Sequence, residues 1–114
     1  MSLKRHIVAR SSDARFDVPV RLAAWSGGYQ RWTVVDGAAG SVHQDFGVCE
    51  LDSGGFIDTH IHSFEESFFV LSGEVVCHTL EGAFRLRGGD YGVLGVGAAH
   101  AWRNDSSGPA RWSN

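Results

Sequence analysis

Cysteine is scarce: Cys49 and Cys77 are the whole supply in 114 residues. Two thiols so far apart make neither a disulfide framework nor a zinc clip, and a reduced, cytoplasmic protein is the expectation. Long apolar runs are missing too. None approaches the ~20 residues a membrane-spanning helix needs. The opening "MSLKRHIVARSSDARF" has basic residues but not the apolar stretch of a secretion signal, and its leading Met-Ser-Leu carries no functional signal. Positive charge is also short. Ten Lys and Arg against 13 Asp and Glu leave a net charge of −3. The basic residues are scattered, which argues against nucleic acid as a partner. Internal repeats and low-complexity segments are absent, and no stretch reads as a convincing helix.

Glycine is what the chain has in excess, with 15 residues, about double the usual ~7%. Helices tolerate glycine poorly while turns and bulges need it, so the composition points to an all-β fold. With 43% apolar and 20% charged residues, the chain describes one folded domain with one core.

Turn signals divide the rest. Residues 1–30 form an N-terminal segment with room for a leading strand, and 31–114 are expected to form a barrel. Gly27-Gly28 breaks the chain before "YQRWTVVDG", a strand ending in an Asp-Gly turn. "HQDFGVCEL" (43–51) is the next strand, and Asp52 to Gly55 form a turn cluster. "FIDTHIH" (56–62) alternates as a half-buried strand. "SFFVL" (67–71) is nearly all apolar, as for a strand covered on both faces. Gly73 turns into "EVVCHTL" (74–80), followed by strands at 83–87, 91–96 and 100–104 and a loop at 105–109. The closing "ARWSN" starts a strand that stops at once, which fits either a short strand or a domain cut from a longer polypeptide. Strands at this spacing indicate a β-sandwich or barrel.

Within "GFIDTHIHSFEESFFVLSG" (55–73), His60 and His62 project from one strand face, and Glu66 follows shortly. His100 lies on a later strand that a barrel would bring across. Imidazole and carboxylate together suit Mn, Fe, Co, Ni, Zn or Cu. Alone, the pair of histidines reads equally well as two exposed strand residues. The spacing of the whole stretch separates these readings.

Gly54, His60, His62, Glu66 and Gly73 stand at intervals of five, one, three and six residues, which resembles the first motif of the cupin family. Gly89, Gly95, Gly97, His100 and Asn104 resemble the second, with Gly95 where the family has a proline that stiffens a turn. The resemblance implies a double-stranded β-helix, the RmlC-like jelly-roll barrel. It also implies that His60, His62, Glu66 and His100 hold one divalent transition metal: Mn, Fe, Ni or Zn. Four such ligands leave up to two positions open on an octahedral ion. The expected activity is a metal-dependent reaction on a small carboxylate or carbonyl compound. The competing reading is a non-catalytic small-molecule-binding or sensor domain, half of a two-cupin protein. Family resemblance also leads to a homodimer.

Further pocket candidates follow from position. Trp102 and Asn104 share parity with His100, and Phe64 and Phe68 flank Glu66. All four are candidates for a substrate pocket, against core packing for Trp102 and a turn-pinning role for Asn104. Cys49 reads as a small buried apolar residue. Cys77 and His78 point to opposite faces. Arg85 and Arg87 fit a solvated outer face, and Tyr91 has nothing to bring it near the metal.

Overall fold

Eight strands build the computed structural model, which describes residues 6–39, 41 and 44–114. They are β1 (Ser26–Val35), β2 (Phe46–His60), β3 (Glu66–Ser72), β4 (Glu74–Thr79), β5 (Gly82–Arg87), β6 (Tyr91–Leu94), β7 (His100–Arg103) and β8 (Ala110–Ser113). Helical structure among the described residues is limited to three short 3₁₀ turns at 11–13, 20–25 and 37–39. The strands follow the order β5-β4-β7-β2-β8-β3-β6, with β1 against β2, and every pairing is antiparallel. The sheet curls into a nearly closed jelly-roll barrel, as the glycine-rich, helix-poor sequence leads one to expect.

The long strand β2 joins the two halves of that barrel. Its residues 48–51 pair with β8, and its residues 56–60 pair with β7. Between them lies Asp52 to Gly55, expected from its composition to reverse the chain. Instead it makes a corner within a continuous strand. Opposite it, β1 advances from Gly27 to Tyr29 while β2 steps from Phe56 back to Leu51. The turn-forming residues are absorbed as a wide bulge, which bends a strand without ending it. Gly54 adopts φ +78° there. A Cβ on Gly55 would meet the Asp52 carbonyl at 2.8 Å and the Leu51 side chain at 2.9 Å. Gly27 and Gly28 likewise lie inside β1 and do not interrupt it. His43, the expected start of the second strand, lies outside the described residues.

One other expectation is corrected. Only Val70 in "SFFVL" is buried, while Phe69 and Leu71 are 45% and 47% exposed. The strand therefore alternates, with its second face open. "ARWSN" supplies the short strand that one of its two readings expects, Ala110–Ser113, which pairs with both β2 and β3. Its Trp112 ring stacks on Trp102 at 4.7 Å, and Tyr29 and Leu51 complete this part of the core.

Candidate metal centre

Three strand ends meet at one point inside the barrel. His60 closes β2 and pairs with His100, the first residue of β7. His62 lies two residues past β2, and Glu66 opens β3. One ligating atom from each residue falls within 4.8 Å of all the others. Donors around a single ion at ~2.0–2.2 Å stand slightly closer than that, so small side-chain rotations would suffice.

The imidazole orientations are fixed by backbone. His60 Nδ1 is 2.8 Å from the Asp58 carbonyl, and His100 Nδ1 is 2.8 Å from that of Ala98. His62 Nδ1 lies 3.4 Å from the Phe64 carbonyl. A carbonyl only accepts, so each Nδ1 carries a proton, and Nε2 is the ring nitrogen left to face the cluster. This is the tautomer a metal needs, held as metal-bound histidines usually are. His62 Nε2 meets Glu66 Oε1 at 2.9 Å. His100 Nε2 is 3.6 Å from the same oxygen, too far for a hydrogen bond, and is buried without a partner. A cation between these four residues would satisfy it.

The electrostatics agree with that reading. Burial alone would raise the Glu66 carboxyl, but His100, His62 and the Asn114 amide outweigh it and hold its pKa below the ordinary value. Burial pulls His100 down, while Glu66 and the Ala98 carbonyl push it up, with a net rise. His60 is lowered, chiefly by burial. The chain thus concentrates one carboxylate and three imidazole nitrogens at one point.

A cavity of about 1550 Å³ opens in front of the cluster, lined by Tyr29, Arg31, Cys49, Phe64, Trp102 and Trp112 among others. The four pocket candidates separate here. Phe64 stacks on the His62 ring at 4.3 Å and 4°, and Trp102 forms part of the wall. Phe68 packs edge-on against Trp102 at 5.2 Å and faces a different, apolar groove with Gly92 and Val93. Asn104 is buried away from the cavity. Its amide donates to the carbonyls of Leu51 and Gly108, and its oxygen accepts from Ser106. Its backbone bonds to Gly54 and Gly55, so it pins the β2 corner. The polar groups of Asn104 are thus all engaged within the chain, and Phe68 lines the second groove and not the cavity before the cluster.

Tyr29, Arg31, Cys49 and Asn114 line the cavity without having been singled out as pocket residues by their motifs. The available signal was parity: Tyr29 and Arg31 alternate on β1, and Tyr29 is buried. The Tyr29 hydroxyl is 3.4 Å from Cys49 Sγ, and burial raises both groups, the thiol to about 11. Arg85 and Arg87 pair with Glu74 on the outside, Arg85 also with Asp105. Tyr91 is 77% exposed.

Residues 47–113 match the family model of the cupin domain. The chain belongs to the cupin family. Among solved structures it is similar to the polyketide cyclase RemF of Streptomyces resistomycificus, with a TM-score of 0.84, 16% identity, and coverage of 93% of this chain and 75% of that one. A predicted oxalate decarboxylase of Thermotoga maritima gives 0.79 and 21% identity over 94% and 95% of the two chains. An RmlC-like cupin of Shewanella frigidimarina gives 0.73 and 16% over 99% and 92%. At these identities the likeness is one of fold. No curated protein matches this cupin.

Proposed function

We propose that this cupin holds one divalent transition metal, Mn, Fe, Ni or Zn, on His60, His62, Glu66 and His100, and uses it on a small carboxylate or carbonyl compound. The observation that carries the proposal is the orphaned His100 Nε2, beside two more imidazoles whose Nδ1 protons are tied to backbone. When bound, the ion supplies Lewis-acid chemistry, or redox chemistry in the case of iron, at up to two open positions. The chain's own residues set the surroundings. The Phe64 ring lies flat against one side of His62. Trp102 offers an apolar wall for the carbon skeleton of a ligand. Tyr29 stays protonated at neutral pH and can only donate or accept a hydrogen bond.

That same protonation favours the second reading, a binding or sensor domain without turnover, as in one half of a two-cupin protein. Tyr29 and the Cys49 thiol are both raised by burial, so neither serves as a base at neutral pH. Proton NMR of the metal-loaded protein with a panel of small carboxylic acids and carbonyl compounds separates the two. Conversion that disappears in His60→Ala supports an enzyme. Line broadening without conversion across the panel supports a binding domain and contradicts turnover.

We further propose a homodimer, with the exposed apolar side chains Phe69, Leu71, Tyr91 and Val93 as the covered face. A cytoplasmic setting, a small-molecule partner and no role in binding nucleic acid or membranes complete the proposal. It is supported by two free, buried cysteines and by the lack, among the described residues, of a helix long and apolar enough to cross a membrane.

A further inference from the structure

Arg31 is a cation in the cavity wall, and its first reading is as an anchor for an anionic ligand. Its hydrogen bonds point elsewhere. Nε and Nη2 reach Asn114 Oδ1 at 3.3 and 3.1 Å, Nη1 reaches Thr33 Oγ1 at 2.9 Å, and Nη2 also meets Asp45 at 3.2 Å. Both edges of the guanidinium are therefore engaged within the chain. What those bonds achieve lies one residue further in.

An asparagine amide has an acceptor end and a donor end, and its neighbours decide which way it faces. Arginine only donates, so the atom of Asn114 that it grips must be the oxygen. Cys49 Sγ, 3.5 Å from the same oxygen, adds a second donor. The opposite end, Nδ2, then has to face Glu66 Oε2, at 3.4 Å. Without Arg31 the amide could rotate and set its oxygen against the carboxylate.

We propose that Arg31 and Asn114 form a positioning pair for Glu66. Asn114 holds Oε2 and so turns Oε1 toward the imidazoles, and Arg31 acts only by fixing the direction of that amide. The Oε1 atom is the one found 2.9 Å from His62 and 3.6 Å from His100. The pair rests on the reading of the cluster as a metal centre, which the test treats separately. Outer partners of metal ligands typically contribute about 10–100-fold in affinity.

The test is a double-mutant cycle on the full chain, with cobalt(II) as probe and its visible absorption as readout of the dissociation constant. Asn114→Ala weakens cobalt binding by roughly 10–100-fold. Arg31→Met also weakens it, but Arg31→Met added to Asn114→Ala has no further effect, since the two act in series. Arg31→Lys, which keeps a donor toward Oδ1, restores binding relative to Arg31→Met. Thermal melting of each variant keeps loss of fold apart from loss of the site, and Arg31→Lys still decides the matter if Asn114→Ala does not fold. Wild-type affinity in Asn114→Ala, additive losses in the cycle, or no rescue by lysine overturns the pair while the metal centre stands. Failure of the wild type itself to bind cobalt overturns both.

Discussion

A buried polar atom left without a partner costs a protein on the order of 1–3 kcal/mol, and His100 Nε2 is such an atom. In the ion-free protein the charge of the Glu66 carboxylate, 3.6 Å away, outweighs burial and raises the imidazole above its ordinary pKa of 6.5, and the carboxyl is itself held below 4.5. The signs follow from linkage. The raised histidine stabilises the fold below pH 6.5 and loses that contribution as pH rises through its folded value. The depressed carboxyl stabilises above pH 4.5 and loses its contribution as pH falls. Both act together only between these limits. The melting-temperature difference between ion-free wild type and Glu66→Gln is therefore largest near pH 5 to 6 and shrinks on either side. A difference that keeps growing toward pH 8 in calorimetric scans would contradict the pairing. The same proton competes with a metal, so affinity for cobalt falls as the solution is made acidic through the titration of His100.

At this scale the sequence was partly legible. His60, His62, Glu66 and His100 could be picked out because their spacing repeats a family pattern. The carbonyls of Asp58, Phe64 and Ala98 that orient them could not. A backbone oxygen is present at every position, so residue identity says nothing of where it points. Asn104 shared the parity of His100, yet it lies past the end of β7, where alternation no longer governs direction.

Elements show the same division. Hairpins closed by a single glycine were readable, and Gly73 shows why: its φ is +74°, and a Cβ there would run into the backbone of Pro109 and Ala110. Gly95 stands at the position of the missing motif proline with no left-handed φ and nothing within 4 Å of a built Cβ. The two glycines thus have opposite expectations. Gly73→Ala destabilises by more than about 2 kcal/mol, through left-handed strain and clash together. Gly95→Ala stabilises by about 0.4–1 kcal/mol, by reducing the freedom of the unfolded chain. Urea unfolding of both variants checks the pair, and equal effects of one sign would refute it. The corner at Asp52 to Gly55 escaped the sequence reading. Local composition marks a change of direction, but whether the chain reverses or bends depends on β1, β7 and β8 beside it.

On the scale of the whole molecule, the barrel carries an exposed apolar patch among its described residues. Phe69 and Tyr91 stack at 6.5 Å on the outer side of β3 and β6, with Leu71 and Val93 nearby, all substantially exposed. Large exposed apolar patches on a small domain mark contact surfaces. Light scattering at micromolar concentration is expected to give twice the 12.4 kDa chain mass, and Tyr91→Lys to return the protein to monomer. Monomer alone in the wild type would refute the dimer. The all-β class was legible because glycine content and turn spacing report on the whole chain, whereas the open face of β3 depends on what packs against it.

The central claim is that four side chains from three strand ends hold one ion. Elemental analysis of protein purified without chelators or a nickel column, beside a His60→Ala, His62→Ala double variant, tests it most directly. The account predicts close to one transition-metal ion per chain in the wild type and none in the variant. No metal in either protein, even after reconstitution with manganese, iron, nickel and zinc salts, would contradict it.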